Sequence, residues 1–498
     1  MSESAESLEP LERLAAIAAE SRVVVVGGGM AGLTAALEFA KVGLRVTLLE
    51  AGERFGGVLR SAEVGGLTLD VGAESYATRG GVVRALVDEL GLGDAVVTPN
   101  PAGAWVAGLP GGLAAPLPQG GVLGIPDNPW SPEVRRIIGN RGVWRAFVDR
   151  IRPPLTIGHE RSLGALVRSR MGARVLDRLV APVTGGVYSA RPDDIDVDLA
   201  VPGLNAALTR VGSLSGAVAE LRAGRTVAPG GAVEGLSGGM GRLVEALVAR
   251  LLDLGVELQT GAEVAALRPS TTPARSGGGS DGWTVVLADG EERDASAVLV
   301  ALPEAAALAL LSPHAPDLDP VAELAPVVEV VTLVVDEPQL DAHPRGAGVL
   351  VVPGSRAAKA LTHSTAKWRW LAEQADSGVH VLRVSFGTQG EEPATSTLDD
   401  ADAAALALAE ASALLGVALD PARLRAARRE RYTQSQPGAA IGRAARTTAA
   451  RSTIRAVPGI GATGAWLSGT GLAQVVPDAQ READRLRSAV LWKGGTLL

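Results

Sequence analysis

A short stretch near the N-terminus, residues 22–50, constrains the fold more than any other part of this sequence. It consists of an apolar strand (23–26), a glycine-rich turn, a helix rich in Ala and Leu, and a second strand (44–49). Strands that are apolar on both faces are typical of parallel sheets covered by helices. We therefore predict a βαβ unit with two buried parallel strands.

The turn between these strands carries a glycine fingerprint. Gly27, Gly29 and Gly32 form G-x-G-x-x-G directly after the strand and at the start of the helix. In this context the glycines permit a tight turn, close approach to a pyrophosphate and packing of the helix on the strand. Glu50 ends the second strand, where a carboxylate accepts hydrogen bonds from ribose hydroxyls. The pattern predicts a dinucleotide site that disfavours NADP and leaves FAD and NAD both open.

The composition excludes several classes of protein. The net charge of −8 argues against a nucleic-acid-binding protein, whose surface would be basic. The absence of cysteine removes disulfides, thiolate metal sites and a flavin linked through a cysteine. The five histidines (His159, His314, His343, His363 and His380) are scattered without metal-ligand spacing, so we expect no metal site. No apolar run is long enough to predict an integral membrane segment.

A second glycine pair, Gly56-Gly57, follows soon after Glu50. It resembles the doublet that follows the dinucleotide fingerprint in the superfamily of amine oxidases, phytoene desaturases and protoporphyrinogen oxidases. Within that superfamily nearly the whole chain resembles the bacterial coproporphyrinogen III and protoporphyrinogen oxidases. The stretches that carry this resemblance are 69–81, 117–126, 185–196, 235–247, 362–368 and 461–486. The resemblance implies noncovalently bound FAD in an extended form.

The last of these stretches is similar to the segment that closes over the flavin and opens the final helix. The partial positive charge of a helix N-terminus would stabilise the anionic reduced flavin there. Relatives commonly have Gly-Ile/Leu-Pro-Asp where this chain has Gly471-Leu472-Ala473-Gln474. The departure affects the expected geometry at the flavin edge and leaves the dinucleotide end unaffected.

The resemblance implies an α/β and α+β fold with a Rossmann-type FAD-binding domain, a helical insertion and an α+β substrate-binding domain. We predict a flexible N-terminal tail over 1–20 and three parts of the FAD-binding domain over 21–98, 229–308 and 441–498. A mainly helical insertion is predicted over 99–228, and the substrate-binding domain over 309–440. The turn-rich segment 269–282 is predicted to be a solvated hairpin loop.

The residues expected to contact FAD follow from the family pattern, position by position. They are Gly27, Gly28, Gly29, Met30, Ala31, Gly32, Glu50, Ala51, Gly57, Val58, Gly72, Ala73, Glu74, Ser75, Val264, Tyr432, Gly471, Leu472 and Ala473. Val264 matches the residue whose backbone contacts the adenine in relatives. Tyr432 matches a position where relatives often have an aromatic residue near the cofactor.

The resemblance also implies the chemistry. A porphyrinogen loses six hydrogens in three two-electron steps, each with hydride transfer to flavin N5, and oxygen is reduced to hydrogen peroxide. Arg79 lies in the segment expected beside the flavin and is our candidate for binding a substrate propionate. No motif identifies a catalytic base, so the catalytic residues remain unassigned. The Arg-rich, Lys-poor composition favours coproporphyrinogen III, the substrate of high-GC bacterial relatives, and a hand-off of the product to a ferrochelatase.

Three other functions remain open at this point. The first is a protoporphyrinogen IX oxidase. The second is an amine oxidase, which would typically place a Lys near flavin N5, whereas residues 327–341 contain none. The third is a noncatalytic flavin-binding module, which the departure at Ala473-Gln474 supports.

The expected location follows from the same residues. We find no basic amphipathic face in the sequence and therefore expect a cytoplasmic enzyme. Peripheral contact with a membrane is the alternative, because eukaryotic relatives sit on membranes through their helical insertion.

Overall fold

The computed structural model describes residues 10–152, 160–223, 233–270, 282–319, 325–433 and 439–492. Its mixture of helices, one parallel sheet and one mixed sheet confirms the predicted α/β and α+β class. Most of the predicted hairpin loop, residues 271–281, lies outside the described residues.

A five-stranded parallel sheet contains the predicted βαβ unit. Alternate side chains of its central strand enter two different hydrophobic cores, with Val23 and Val25 on one face and Val24 and Val26 on the other. Burial on both faces, predicted from the apolar run, is therefore confirmed. In spatial order the strands are β12 (Glu257–Gln259), β2 (Arg45–Leu49), β1 (Arg22–Val26), β16 (Ala297–Val300) and β22 (Ile460–Ala462).

Helices and a small meander cover the two faces of this sheet. One face packs against α1 (Pro10–Glu20), α2 (Met30–Ala40), α3 (Val82–Glu89), α11 (Gly241–Asp253) and α18 (Leu472–Leu491). The other packs against α12 (Glu304–Leu311), α16 (Arg443–Arg455), α17 (Ala465–Ser468) and the antiparallel strands β13 (Val264–Pro269), β14 (Trp283–Leu287) and β15 (Glu292–Ala295). Distant parts of the chain thus complete one three-layer unit.

A seven-stranded mixed sheet forms the second large unit. Its strands, in spatial order, are β21 (Leu424–Thr433), β17 (Val327–Asp336), β20 (Val379–Phe386), β19 (Ala360–His363), β18 (Gly348–Val351), β7 (Ala104–Leu109) and β8 (Leu113–Pro116). The helix α15 (Asp400–Leu415) covers the face that carries Val331, Leu333 and Val335. On the opposite face Val334 and Val381 pack against Leu69 and Val71. That opposite face is therefore turned toward the part of the chain that follows β2.

The remaining elements connect these two units. The short strands are β3 (Ser61–Val64), β4 (Leu67–Asp70), β5 (Tyr76–Ala77), β6 (Val96–Val97), β9 (Gly121–Val122), β10 (Ile125–Pro126) and β11 (Val233–Leu236). The helices α4 (Pro132–Phe147), α5 (Leu163–Arg170), α6 (Ala173–Val175), α7 (Ala181–Tyr188), α8 (Val197–Ala200), α9 (Leu204–Val211) and α10 (Leu214–Ala223) share one hydrophobic core. Two helices, α13 (Ser364–Lys367) and α14 (Arg369–Gln374), follow β19.

The structure corrects the expected content of two predicted regions. In the region predicted as mainly helical, residues 104–116 form β7 and β8, and β7 pairs in parallel with β18. This pairing joins residues more than 200 positions apart, so no local pattern reveals it.

In the predicted flexible tail, residues 10–20 form α1, whose Ala18 is buried in the core. A segment rich in Ala and Leu has a high intrinsic helix propensity, which the sequence-based prediction overlooked. Residues 1–9 lie outside the described part.

Residues 130–152 form an aromatic and basic patch. Trp130 and Trp144 meet edge to face with ring centroids 5.0 Å apart, and Phe147 completes the cluster. Trp144 is 60% exposed. Gly139 has non-helical backbone angles, so the helix is kinked and its exposed residues do not follow one helical period. The exposed arginines of this patch are Arg135, Arg136, Arg141, Arg145, Arg150 and Arg152.

The described ranges contain no helix that is long and apolar enough to cross a bilayer.

Three of the scattered histidines meet beside β19 and β20. His363 Nε2 lies 3.0 Å from His380 Nδ1, and His380 Nε2 lies 3.1 Å from Asp341 Oδ1. The His343 ring stands edge-on to His363. Burial, together with the two neighbouring histidines, lowers the pKa of His363 to about 3. Among the described residues no group of three or more His, Asp or Glu side chains could hold a metal ion.

The buried His363 makes stability depend on pH in a defined direction. Its folded-state pKa of about 3 lies below the ordinary histidine value of about 6.5, so the unfolded chain binds the proton more readily. This contribution is fully present above pH 6.5 and is lost as the pH falls toward 3. We expect the free energy of unfolding to decline from pH 7 to pH 5. His363 should contribute up to about 1.4 kcal/mol per pH unit to this decline.

Urea unfolding of the wild type and of H363N at pH 7, 6 and 5 measures this share. The decline should be shallower in H363N. Equal declines in the two proteins would contradict the assignment.

Candidate functional site

The glycine fingerprint forms a tight turn at the carboxyl end of β1. Gly27 has a φ of 106°, a backbone conformation that favours glycine, and its N–H donates to the carbonyl of Leu49 at 2.7 Å. A Cβ atom at Gly32 would overlap the carbonyl oxygen of Gly27, so only glycine lets α2 pack this closely on the turn. At Gly29 a Cβ atom would meet no described atom within 4 Å. Met30 and Ala31 form the first turn of α2, whose N-terminus thus opens onto free space beside Gly29.

The carboxylate of Glu50 closes one side of this turn. Its Oε2 accepts a hydrogen bond from the N–H of Gly28 at 2.7 Å, and its Oε1 accepts one from the N–H of Gly52 at 2.8 Å. Ala51 lies between these contacts and is exposed. The acid predicted to bind a ribose therefore lies against the glycine turn, at the edge where the parallel strands end.

The second glycine doublet lies directly against the first turn. The N–H of Gly56 donates to the carbonyl of Gly28 at 2.8 Å, and a Cβ atom at Gly57 would lie 3.3 Å from the Cα of Gly29. Val58, which follows, is 48% exposed, and its carbonyl accepts the N–H of Ala73 at 3.0 Å. The structure thus brings the fingerprint, the doublet and the segment 72–75 together.

Val264 begins β13 near the opposite end of this groove. The turn before it is fixed to the Glu50 segment, because Ala262 donates to the carbonyl of Glu50 at 2.8 Å and Gly261 to that of Gly52 at 2.9 Å. Val264 is partly buried against the core that contains β13. This position, beyond Glu50, is compatible with the predicted adenine contact.

The final helix begins where the sequence predicts. Gly471 precedes α18, and Leu472 and Ala473 are its first residues. Gln474, which replaces the Asp of relatives, turns back so that its Oε1 accepts a hydrogen bond from the N–H of Gly471 at 3.4 Å. Gln474 therefore caps its own helix, and the departure from the family pattern preserves the helix N-terminus.

A buried ion-pair network fixes the segment that contains Gly72, Ala73, Glu74 and Ser75. Glu74 pairs with Lys367 at 2.6 Å and with Arg383 at 3.0 Å. Burial by itself would raise the pKa of Glu74, but these two cations outweigh it and hold the pKa at about 2. The Arg383 guanidinium also donates to the carbonyl oxygens of Val71 and Gly72. The face of the seven-stranded sheet opposite α15 therefore holds this segment in place.

That face of the sheet carries buried polar atoms that have no hydrogen-bond partner in the described part of the chain. They are Thr332 Oγ1, Arg383 Nε and the Tyr432 hydroxyl. Thr332 pairs across the sheet with Arg383, so both side chains lie on the same face. Burial, with the charge of Glu430, raises the pKa of Tyr432 to about 12. Unpartnered buried polar groups cost stability, which indicates that a bound group completes their hydrogen bonds.

Arg79, the predicted substrate residue, is exposed beyond this segment. Burial raises the pKa of Tyr188 at the end of α7, and the positive charge of Arg79 opposes that shift, so the two groups interact electrostatically.

Comparison with known proteins agrees with this geometry. Residues 30–487 match the model of the family described as flavin containing amine oxidoreductase. The chain belongs to this flavin-containing family. Within it, the chain is 31% identical to a coproporphyrinogen III oxidase of Mycobacterium leprae, over 94% of this chain and 98% of the relative. The predicted membership in the porphyrinogen oxidase branch is thereby confirmed.

Solved structures share the same architecture. A crystal structure from Exiguobacterium sp. 255-15, provisionally named a protoporphyrinogen oxidase, has a TM-score of 0.78 and 26% identity, and the match covers 94% of this chain and 98% of that one. A triple mutant of putrescine oxidase has a TM-score of 0.62 at 17% identity, over 95% of this chain and 98% of that one, which shows a shared fold alone.

The groove fits FAD. Free space adjoins Gly29 at the N-terminus of α2, where a pyrophosphate is stabilised, and the Glu50 carboxylate lies where a ribose is bound. The unpartnered Tyr432 hydroxyl and Arg383 Nε lie at the other end, on the sheet face over Gly72. The family shows that this chain is a flavoprotein oxidoreductase that binds FAD, and we predict that FAD lies along this groove.

Sequence reasoning missed two residues of this site. Arg383 lies in the middle of a mostly apolar strand, and a buried Arg in such a strand indicates a nearby partner. Thr332 carries no comparable signal, because threonine is common in strands.

Replacing Gly29 with Ala tests the position of the cofactor. A methyl group there meets no described protein atom and the residue has an ordinary φ of −72°, so the apoprotein should keep its melting temperature. The methyl group would enter the space predicted for the pyrophosphate, so we expect FAD to bind at least about tenfold more weakly, a loss of about 1.4 kcal/mol. Fluorescence titration of the apoprotein with FAD measures the affinity. Unchanged affinity in G29A would contradict this position.

Proposed function

We propose that this chain oxidises coproporphyrinogen III to coproporphyrin III in haem biosynthesis, with FAD as cofactor and molecular oxygen as electron acceptor. The observation that carries the proposal is the end-to-end similarity to the coproporphyrinogen III oxidase of Mycobacterium leprae. The product would then pass to a ferrochelatase, because a porphyrin without metal is the substrate for iron insertion.

The reaction removes six hydrogens from the porphyrinogen, and three molecules of oxygen become three of hydrogen peroxide. FAD, when bound, accepts two electrons at a time and passes them to oxygen, so three turnovers complete one porphyrin. The gain of aromaticity supplies much of the driving force, and we assign no catalytic base.

In this proposal the residues of this chain bind and orient the cofactor and the substrate. The glycine turn and Glu50 hold the dinucleotide end of the cofactor. Glu74 keeps Lys367 and Arg383 paired, so that the segment beside the flavin stays rigid and its carbonyl oxygens remain bonded. Arg79 binds one propionate carboxylate of the substrate near Tyr188.

Three alternatives have specific observations for or against them. An amine oxidase would typically present a Lys from β17, but the face of β17 turned toward Gly72 presents Val330 and Thr332. A noncatalytic module is disfavoured because Gln474 keeps the helix N-terminus of α18 intact. A protoporphyrinogen IX oxidase differs only in substrate, and a direct comparison of the two substrates decides between them.

Anaerobic flavin reduction tests the proposal. We expect coproporphyrinogen III to bleach the bound flavin at least severalfold faster than protoporphyrinogen IX at equal concentration. Stopped-flow absorbance measures both rates, and admission of air should then yield three hydrogen peroxide molecules per porphyrin. Faster bleaching by protoporphyrinogen IX would support the alternative substrate. A flavin that neither compound bleaches would leave the amine oxidase and the noncatalytic module as the remaining candidates.

We also propose that the patch formed by residues 130–152 attaches the enzyme peripherally to an anionic membrane surface. Residues 130–152 include six exposed arginines and one exposed carboxylate, Glu133, although the protein as a whole is acidic. Aromatic rings beside cationic side chains suit the interface between lipid headgroups and acyl chains.

Sedimentation with lipid vesicles checks this attachment. We expect binding to vesicles that contain phosphatidylglycerol, little binding to phosphatidylcholine alone, and a severalfold loss of binding in W144S. Trp492 is also exposed but lies outside the patch, at the end of α18, so W492S is the matched control and should bind like the wild type. Equal losses in both variants, or no binding by the wild type, would refute the proposal.

A further inference from the structure

Lys359 is a half-buried cation without an acidic partner. Its Nζ donates a hydrogen bond to the Ser189 hydroxyl at 2.7 Å, and no carboxylate in the described part of the chain pairs with it. The other described lysines differ in this respect. Lys41 pairs with Glu38 and Glu89, and Lys367 pairs with Glu74. Lys359 is therefore the exception among the described lysines.

A half-buried ammonium group without an acidic partner lowers the stability of the folded protein. Burial lowers the pKa of Lys359 to about 8, because the ammonium loses hydration that one hydroxyl does not replace. A methionine would fill the same volume without this penalty. Because this charge destabilises the folded protein, its presence indicates that Lys359 has a functional role and not a structural one.

The surroundings of Lys359 place it at a junction of three parts of the chain. Ser189, its partner, directly follows α7 and has a φ of 50°. The carbonyl of Ser189 accepts hydrogen bonds from the Gln389 N–H at 2.9 Å and from the Thr388 hydroxyl at 3.0 Å. The Gln389 side-chain oxygen is buried and has no partner in the described ranges. The junction is thus polar, and its hydrogen-bonding capacity is incompletely used.

A second cation acts on the same helix end. The charge of Arg79 lowers the pKa of Tyr188 against the effect of burial, and Lys359, from the bend before β19, donates a hydrogen bond to the next residue, Ser189. Two cations from different parts of the chain thus interact with the last residue of α7 and the residue after it. Junctions between structural units are common places for ligand pockets, and paired cations suit an anion with more than one carboxylate.

We propose that Lys359 binds a carboxylate of the substrate, a second one beside that bound by Arg79. The proposal rests on the proposed function, which supplies a substrate with several propionates. Coproporphyrinogen III has four propionates and protoporphyrinogen IX has two. An additional buried cation at the substrate junction therefore favours the substrate with more carboxylates, and Lys359 contributes to specificity through binding.

Binding of the product coproporphyrin III to the FAD-loaded enzyme tests this role without turnover. Quenching of porphyrin fluorescence gives the Kd for the wild type and for K359M, K359R and K41M. We expect K359M to raise the Kd about tenfold or more, as for loss of a charge-assisted hydrogen bond. K359R should restore most of the affinity. K41M is the matched control, because it removes a lysine from the surface pair with Glu38 and Glu89, and it should bind like the wild type.

Two further measurements separate binding from structure. The same titration with the tetramethyl ester of coproporphyrin III, which lacks the carboxylates, should give equal Kd values for the wild type and K359M. The melting temperature of K359M should be equal to or above that of the wild type, because a buried unpaired charge is removed.

The outcomes distinguish this inference from the proposed function. A wild type that binds coproporphyrin III, together with an unchanged Kd in K359M, overturns the role of Lys359 alone. A lower melting temperature and an equal loss of affinity for the ester would assign Lys359 a structural role and also overturn the inference. A wild type that does not bind coproporphyrin III overturns both proposals.

Discussion

The structure depends on backbone segments that approach one another without intervening side chains. The turn after β1, the Gly56-Gly57 doublet and the segment at Gly72 meet through N–H and carbonyl groups at 2.8–3.0 Å. Any side chain at Gly32 would overlap the first turn. Because these contacts are made by the main chain, they fix the floor of the groove and leave its upper side free for a ligand. The ion pairs of Glu74 then hold one wall of the groove against the large sheet.

The parts of this arrangement that follow from local sequence were predictable. The fingerprint, the acid at position 50 and the start of the last helix each depend on neighbours within about 20 residues, and the structure places them as expected. The doublet and the segment 72–75 were located through family resemblance, because nothing in their composition alone indicates what they contact. Fold class and cofactor could therefore be inferred before the three-dimensional arrangement was known.

The remainder depends on pairings between distant residues. The strand at 104–109 reads as a short apolar run, and only its parallel partner at 348–351 makes it part of a sheet. His363 and His380 are unremarkable in sequence and share a hydrogen bond because β19 and β20 pair antiparallel. The aromatic cluster of Trp130 and Trp144 joins residues on either side of the kink at Gly139. Periodicity rules assume a regular element and cannot show such contacts.

The order of strands in the parallel sheet has a consequence for synthesis of the protein. Its central strand is formed by residues 22–26, but one neighbour, β16, begins at residue 297, and the edge strand β22 ends at residue 462. On the ribosome the N–H and carbonyl groups along one edge of the first strand must therefore stay unpaired until most of the chain has emerged. An N-terminal fragment that carries the complete glycine fingerprint would still lack half of its sheet. The parallel sheet is thus complete only near the end of synthesis, and unpaired apolar strands are prone to aggregate until then.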